Sequence, residues 1–157
     1  MNEKSHLERI AQQFADMQLD AVMIGSAAAA LHGVPFTTLD VDFMVKHTDE
    51  NYRKFAALAQ RMNCRLVEMK LLDNKYMYRL MHRAEPLVID FLFAPAGIES
   101  FEVLKENGKD FSFGEHQLRV AALEDILASK RAAGRPKDMA FIPILEKTLD
   151  EKRNHKN

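Results

Sequence analysis

The stretch PLVIDFLF, residues 86–93, constrains the fold more than any other part of the sequence, because it is apolar throughout except for Asp90. A short, nearly continuous apolar run reads as a central strand covered on both faces, so strands must flank it and helices must lie above and below. A charge inside such a strand is costly unless it meets a metal, a base or a hydrogen-bond network. The fold must therefore bring a partner to Asp90.

Other segments supply the neighbours. Leu7, Ile10, Ala11, Phe14 and Met17 recur at helical spacing, which predicts an amphipathic helix over 4–17. Ala21-Val22-Met23-Ile24 reads as a strand that stops at Gly25-Ser26, and Ala27 to Leu31 as a helix ending near Gly33 and Pro35. In LDVDFMV, Leu39, Val41, Phe43 and Val45 alternate with Asp40, Asp42 and Met44, so this strand carries two aspartates on one face. Thr48 before Asp49 and Glu50 predicts the capped start of a helix whose buried stripe is Phe55, Leu58, Ala59 and Met62. CRLVEM and KYMYRLMH, separated by Asp73-Asn74, predict a hairpin. Further on, a short helix over 98–106 ends near Gly108, FSFGEHQLRV gives two short strands or an extended arm, and Gly134-Arg135-Pro136 separates helices over 122–133 and 137–152.

This order predicts an α+β (α/β-like) fold with a small mixed β-sheet flanked by helices and a helical C-terminal segment. A length of 157 residues and an ordinary mix of 47% hydrophobic and 29% charged residues suit one domain over 1–157 and exclude a disordered or collagen-like chain. The sheet-bearing core is expected over 18–120, helices over 121–152 and a frayed tail over 153–157. The net charge of −1 leaves no global field to drive the chain onto nucleic acid or an anionic membrane. A single cysteine, Cys64, excludes an intramolecular disulfide and a cysteine-based zinc site. With no apolar signal segment in MNEKSHLER and no run of ~20 apolar residues, a cytoplasmic protein with no membrane partner is expected.

The chemistry centres on three carboxylates. Asp40 and Asp42, two apart on one strand, have Cα atoms ~6.8 Å apart on one face, and Asp90 can add a third ligand from an adjacent strand. Hard oxygen donors of this kind suit Mg²⁺ or Mn²⁺. Gly25-Ser26, between a strand and a helix, offers backbone amides, a hydroxyl and the helix dipole to a phosphate. From Lys130 onward the sequence holds eight basic residues against four acidic ones, among which Lys130, Arg135 and Lys137 stand out as groups to steer phosphate or RNA. Tyr76 and Tyr78 are either base-stacking groups or cross-strand packing, and His32 is more simply a hydrogen-bonded helix-end residue than a ligand.

Taken in order, IGSAAAALHG, TTLDVDFMV, LVIDFLF and VAALEDILASKRAAGRPKDM resemble the minimal nucleotidyltransferases of the DNA polymerase β-like superfamily, especially small bacterial members related to abortive-infection and toxin–antitoxin systems. The resemblance spans residues 20–145. It implies transfer of a nucleoside monophosphate from an NTP such as ATP to a hydroxyl of an RNA end (a tRNA, for example), a protein or a small molecule. Asp40, Asp42 and Asp90 would be catalytic and metal-binding, with Asp90 helping to deprotonate the acceptor. Gly25, Ser26, Lys130, Arg135 and Lys137 would bind the nucleotide. The contrasting reading is a catalytically degenerate module that holds nucleotide, RNA or an antitoxin-type protein partner. Phe36 and Phe141 stand where such relatives often carry an arginine and an aspartate.

Overall fold

A computed structural model describes residues 4–71 and 75–155. It contains helices α1 (His6–Met17), α2 (Gly25–Leu31), α3 (Asp49–Arg61), α4 (Phe101–Asn107), α5 (Leu123–Ala133) and α6 (Pro136–His155). The strands are β1 (Ala21–Ile24), β2 (Asp40–Val45), β3 (Cys64–Lys70), β4 (Tyr76–His82), β5 (Val88–Leu92), β6 (Lys109–Phe113) and β7 (His116–Val120). All seven join one mixed sheet in the order β3-β4-β5-β2-β1-β7-β6, the helix-flanked mixed sheet that the element order predicts. The hairpin forms as β3 and β4, while its Asp73-Asn74 turn lies outside the described residues. The ambiguous segment after Gly108 resolves into the β6–β7 hairpin, and the tail expected to fray is helical through His155.

The caps follow the local chemistry. Ser5 Oγ accepts from the Glu8 amide at 3.1 Å and Thr48 Oγ1 from the Asn51 amide at 3.2 Å, so α1 and α3 each begin with an orphan donor satisfied. The helices then bury their apolar stripes on one face of the sheet. Phe14 of α1 meets Phe43 edge-on at 4.8 Å between centroids, and Phe55 of α3 stacks on Phe91 at 4.3 Å. Tyr78 belongs to this layer, packed beneath α3 against Tyr52 at 5.0 Å and Phe55 at 5.6 Å, a helix-on-sheet contact in place of the cross-strand packing or base stacking expected.

Because Phe43 and Phe91 point into that layer, alternation sends Asp42 and Asp90 to the other face. β5 lies between β4, antiparallel, and β2, parallel, with Asp90 opposite both Asp42 and Arg79. The central apolar strand thus delivers its one charge to a face where two neighbouring strands each present a charged side chain.

Candidate active site

At the centre of this face, β1 ends at Ile24, opposite Asp42, and the chain turns through Gly25 with φ +75°. A Cβ at Gly25 would stand 2.6 Å from Asp42 Oδ2, so only glycine permits the carboxylate to lie directly against this backbone. Ser26 follows, and its Oγ accepts a hydrogen bond from Lys130 Nζ of α5 at 3.2 Å. The turn, Asp42 and Lys130 are therefore one cluster drawn from β1, β2 and α5. α2 is only seven residues long, so the hydroxyl and the lysine carry more of any anion affinity here than the helix dipole does.

Lys130 is held from the other side by Asp138, fully buried in the first turn of α6, at 3.4 Å. Asp138 also accepts from Arg135 Nε at 2.6 Å and from the Arg135 amide at 3.2 Å. Burial alone would raise the Asp138 carboxyl, but the Arg135 hydrogen bonds and the charges of Arg135 and Lys130 outweigh it and hold the group below its ordinary range. Arg135, expected to meet nucleotide, is thus engaged by Asp138. Lys137 is exposed on α6 and does not line the cavity beside Asp42. Phe36 and Phe141 meet edge-on at 4.7 Å, and Lys130 Nζ lies 5.5 Å from the Phe141 ring centre. The two phenylalanines are thus in contact, and Phe141 packs beside the lysine.

The three carboxylates behave differently. Asp40 is exposed at the start of β2. Asp42 is pushed up to about 7, first by burial, then by the charges of Asp90 and Asp40, with Lys130 opposing. In its protonated form it hydrogen-bonds Asp90. Asp90, with a side chain only 7% exposed, accepts from Arg79 Nε at 2.8 Å and from Arg79 Nη2 at 2.9 Å, a bidentate pair across β4 and β5. The partner demanded by the apolar strand is a base. Arg79 was not singled out by sequence reasoning; a lone arginine in YMYRLMH was the available signal.

Among the described residues, no group of three or more His, Cys, Asp or Glu side chains is arranged to hold a metal ion. The expected triad is reduced by Arg79, which takes both oxygens of Asp90. Asp40 and Asp42 offer two hard oxygen donors on one face, and a divalent cation there would oppose the burial and the repulsion from Asp90 that hold Asp42 high.

Beside Asp42 opens a cavity of about 370 Å³, within the range of small-molecule sites. Gly25, Asp42 and Lys130 line its polar end, whereas Leu71, Leu92 and Ile98 represent its mainly apolar remainder. His32 lies elsewhere, with Nε2 2.8 Å from the Ala121 carbonyl oxygen, a structural contact at the end of α2.

Over residues 3–156 the sequence matches the family described as "Nucleotidyl transferase of unknown function (DUF2204)". The chain belongs to that family. No curated protein matches it in sequence. Among solved structures, the lincosamide antibiotic adenylyltransferase LnuA, determined with lincomycin bound, aligns with TM-score 0.63 and 12% identity, covering 94% of this chain and 99% of that one. ANT(2")-Ia in complex with adenylyl-2"-tobramycin aligns with TM-score 0.60 and 15% identity, over 94% and 89% of the two chains. A Thermotoga maritima protein described as a candidate nucleotidyltransferase aligns with TM-score 0.60 and 17% identity, over 92% and 91%. These likenesses establish the nucleotidyltransferase-like fold, and the family match establishes a nucleotidyltransferase enzyme. No helix among the described residues is long and apolar enough to cross a membrane.

Proposed function

We propose that this nucleotidyltransferase moves a nucleoside monophosphate from a Mg²⁺–NTP complex to a hydroxyl acceptor at the Asp40–Asp42–Asp90 edge. The observation that carries the reading is the single cluster in which Asp42 lies against Gly25, Lys130 reaches Ser26, and Asp90 stands opposite Asp42 on the adjacent strand. Asp40 and Asp42 would hold the ion, which when bound offsets charge on the triphosphate and on departing pyrophosphate. Gly25 allows phosphate close to the backbone, and Ser26 and Lys130 orient it. The acceptor oxygen forms its bond to the α-phosphorus as the bond to the β-bridging oxygen breaks. Its proton passes to the Asp90 carboxylate, which Arg79 holds in place. Enclosing these groups within one fold supplies orientation, a large part of phosphoryl-transfer catalysis.

The cavity next to Asp42 favours a small molecule over an RNA end or a protein as acceptor, since its volume and apolar lining suit a compact ligand. The antibiotic acted on by LnuA and the adenylylated tobramycin held by ANT(2")-Ia are acceptor chemistry of that kind in proteins of this fold. An antitoxin-type partner gains no support from the family match or these structures. Incubation with each α-labelled NTP, Mg²⁺ or Mn²⁺ and a cell extract, followed by separation of protein, RNA and small-molecule fractions, is expected to place label in the small-molecule fraction. Label in RNA or protein would reassign the acceptor, and no label with any NTP would remove the transfer reading.

A further inference from the structure

At the opposite end of α2 from Gly25, a second cavity of about 620 Å³ opens between that helix end, the start of β6, the first turn of α5 and the last turns of α6. His32, Lys109, Lys152, Arg153 and His155 line it, and among its described lining residues Glu124 is the single carboxylate. The basic groups come from elements far apart in the chain, so this is a convergence and not the solvated face of one helix. Its floor is ordered. The Ala121 carbonyl can only accept, so His32 Nε2, 2.8 Å away, carries the proton, and Nδ1 is left to accept from Lys152 Nζ at 3.3 Å. Burial, assisted by the charges of Lys152 and Lys109, pushes the His32 imidazole below its ordinary value against the opposing contributions of Ala121 and Glu124. A neutral imidazole thus orients the lysine without cancelling its charge. Lys109 Nζ lies 5.8 Å from the Phe111 ring centre, and among the described residues neither Lys109 nor Arg153 forms an ion pair with a carboxylate.

We propose that this cavity is a second binding site, separate from the Asp42 edge, for a compact polyphosphate: a free di- or triphosphate, or the phosphate chain of a nucleotide. Lys109 and Lys152 supply point charges on flexible stems, and the Arg153 fork supplies paired donors to phosphate oxygens. The cations converge on one concavity, whereas a nucleic-acid strand needs a track of them along its backbone. An anion carrying several charges suits the excess of positive over negative groups here better than a single carboxylate does.

Calorimetry of the full chain with sodium tripolyphosphate in chelator, where the Gly25 turn has no metal to help it hold phosphate, reads this site. Tripolyphosphate should bind, and the double variant K109Q/R153Q should weaken it by roughly tenfold or more, each lost charge accounting for a few-fold. Both side chains are exposed, so this variant should keep the wild-type Tm, and K109R/R153K, which preserves the charge, should bind within about threefold of wild type. Gly25→Ala should bind tripolyphosphate as the wild type does, which separates the cavity from the active site. ATP in the same buffer distinguishes the sources of the phosphate chain: affinity equal to or above that of tripolyphosphate assigns a nucleotide, and weaker affinity a free polyphosphate. No tripolyphosphate binding, or binding that Gly25→Ala loses and K109Q/R153Q keeps, would overturn the proposal. So would a single-stranded RNA about ten nucleotides long that binds through Lys109 and Arg153 more tightly than tripolyphosphate, since the surface would then be a nucleic-acid track.

Discussion

Asp42→Asn is expected to lower nucleotidyl transfer by roughly a thousandfold or more, the scale of losing charge stabilisation at a phosphoryl-transfer centre, while making the metal-free protein more resistant to heat at pH 8. Both effects come from one carboxyl. In the folded chain Asp42 is raised from 3.8 to about 7, by burial first and by Asp90 next. The native state therefore binds this proton more tightly than the unfolded state does. The stability it confers is fully present below about pH 4 and is lost as pH rises through about 7, a span corresponding to ~4 kcal/mol at most. Asparagine carries its N–H donors at every pH and can meet Asp90 as the protonated acid does, so the variant should escape this loss. For a chain of this size the gain at pH 8 corresponds to several degrees in Tm, since ~1 kcal/mol moves it about 2–4 °C. At pH 4 the two proteins should melt together. Mn²⁺ should raise the wild-type Tm with concentration and leave the variant nearly unmoved, because only the wild type binds the ion well in its native state. Thermal unfolding at pH 4 and 8, with and without Mn²⁺, checks all three; a wild type that melts higher than the variant in metal-free pH 8 buffer contradicts the electrostatic account.

The second large effect is expected at Gly25. Gly25→Val places a branched side chain at φ +75° and sets its Cβ 2.6 Å from Asp42 Oδ2, so either the turn or the carboxylate must move. The left-handed conformation alone costs ~1–3 kcal/mol for a non-glycine residue, and more for a branched one. Tm should fall by about 5 °C or more, and NTP affinity should drop at least tenfold because phosphate no longer reaches the backbone. Gly25→Ala should show the same loss in milder form. Calorimetric NTP binding to both variants is the check: unchanged affinity would move the phosphate site away from this turn.

Much of the architecture was legible because it is written in local periodicity. Period-2 alternation in LDVDFMV put Asp40 and Asp42 on one face, and the strand register bears this out. The helix starts at Ser5 and Thr48 follow from single capping side chains. The presence of β5 was legible for the opposite reason, since a strand buried on both faces has little alternation to show, although it is shorter, Val88–Leu92, than the apolar run 86–93.

What the sequence did not reveal depends on residues far apart in the chain. Asp90 was expected to need a metal, a base or a hydrogen-bond network, and the choice of Arg79 follows from the β4–β5 register, which no local pattern specifies. Lys130 read as a group to meet phosphate, and its contact with Asp138 arises because α6 packs back on α5. Arg135 is turned to Asp138 by a local contact instead, three residues apart at the start of α6, which the basic character of the segment did not disclose. The contact of Phe36 with Phe141 spans a loop before β2 and a helix near the C-terminal end. The apolar cavity also escaped the sequence, because Leu71, Leu92 and Ile98 individually look like ordinary core.

The central claim is that the carboxylates at Asp40 and Asp42 receive a metal–triphosphate complex against the Gly25 turn, and it can be tested without knowing the acceptor. Calorimetric titration of the wild type and Asp42→Asn with α,β-methylene analogues of the four NTPs, in Mg²⁺ and in chelator, measures it directly. At least one analogue should bind the wild type in Mg²⁺ and lose at least tenfold in affinity both in chelator and in the variant; affinity that is independent of Mg²⁺ and of Asp42, or no binding by any analogue, would contradict the account.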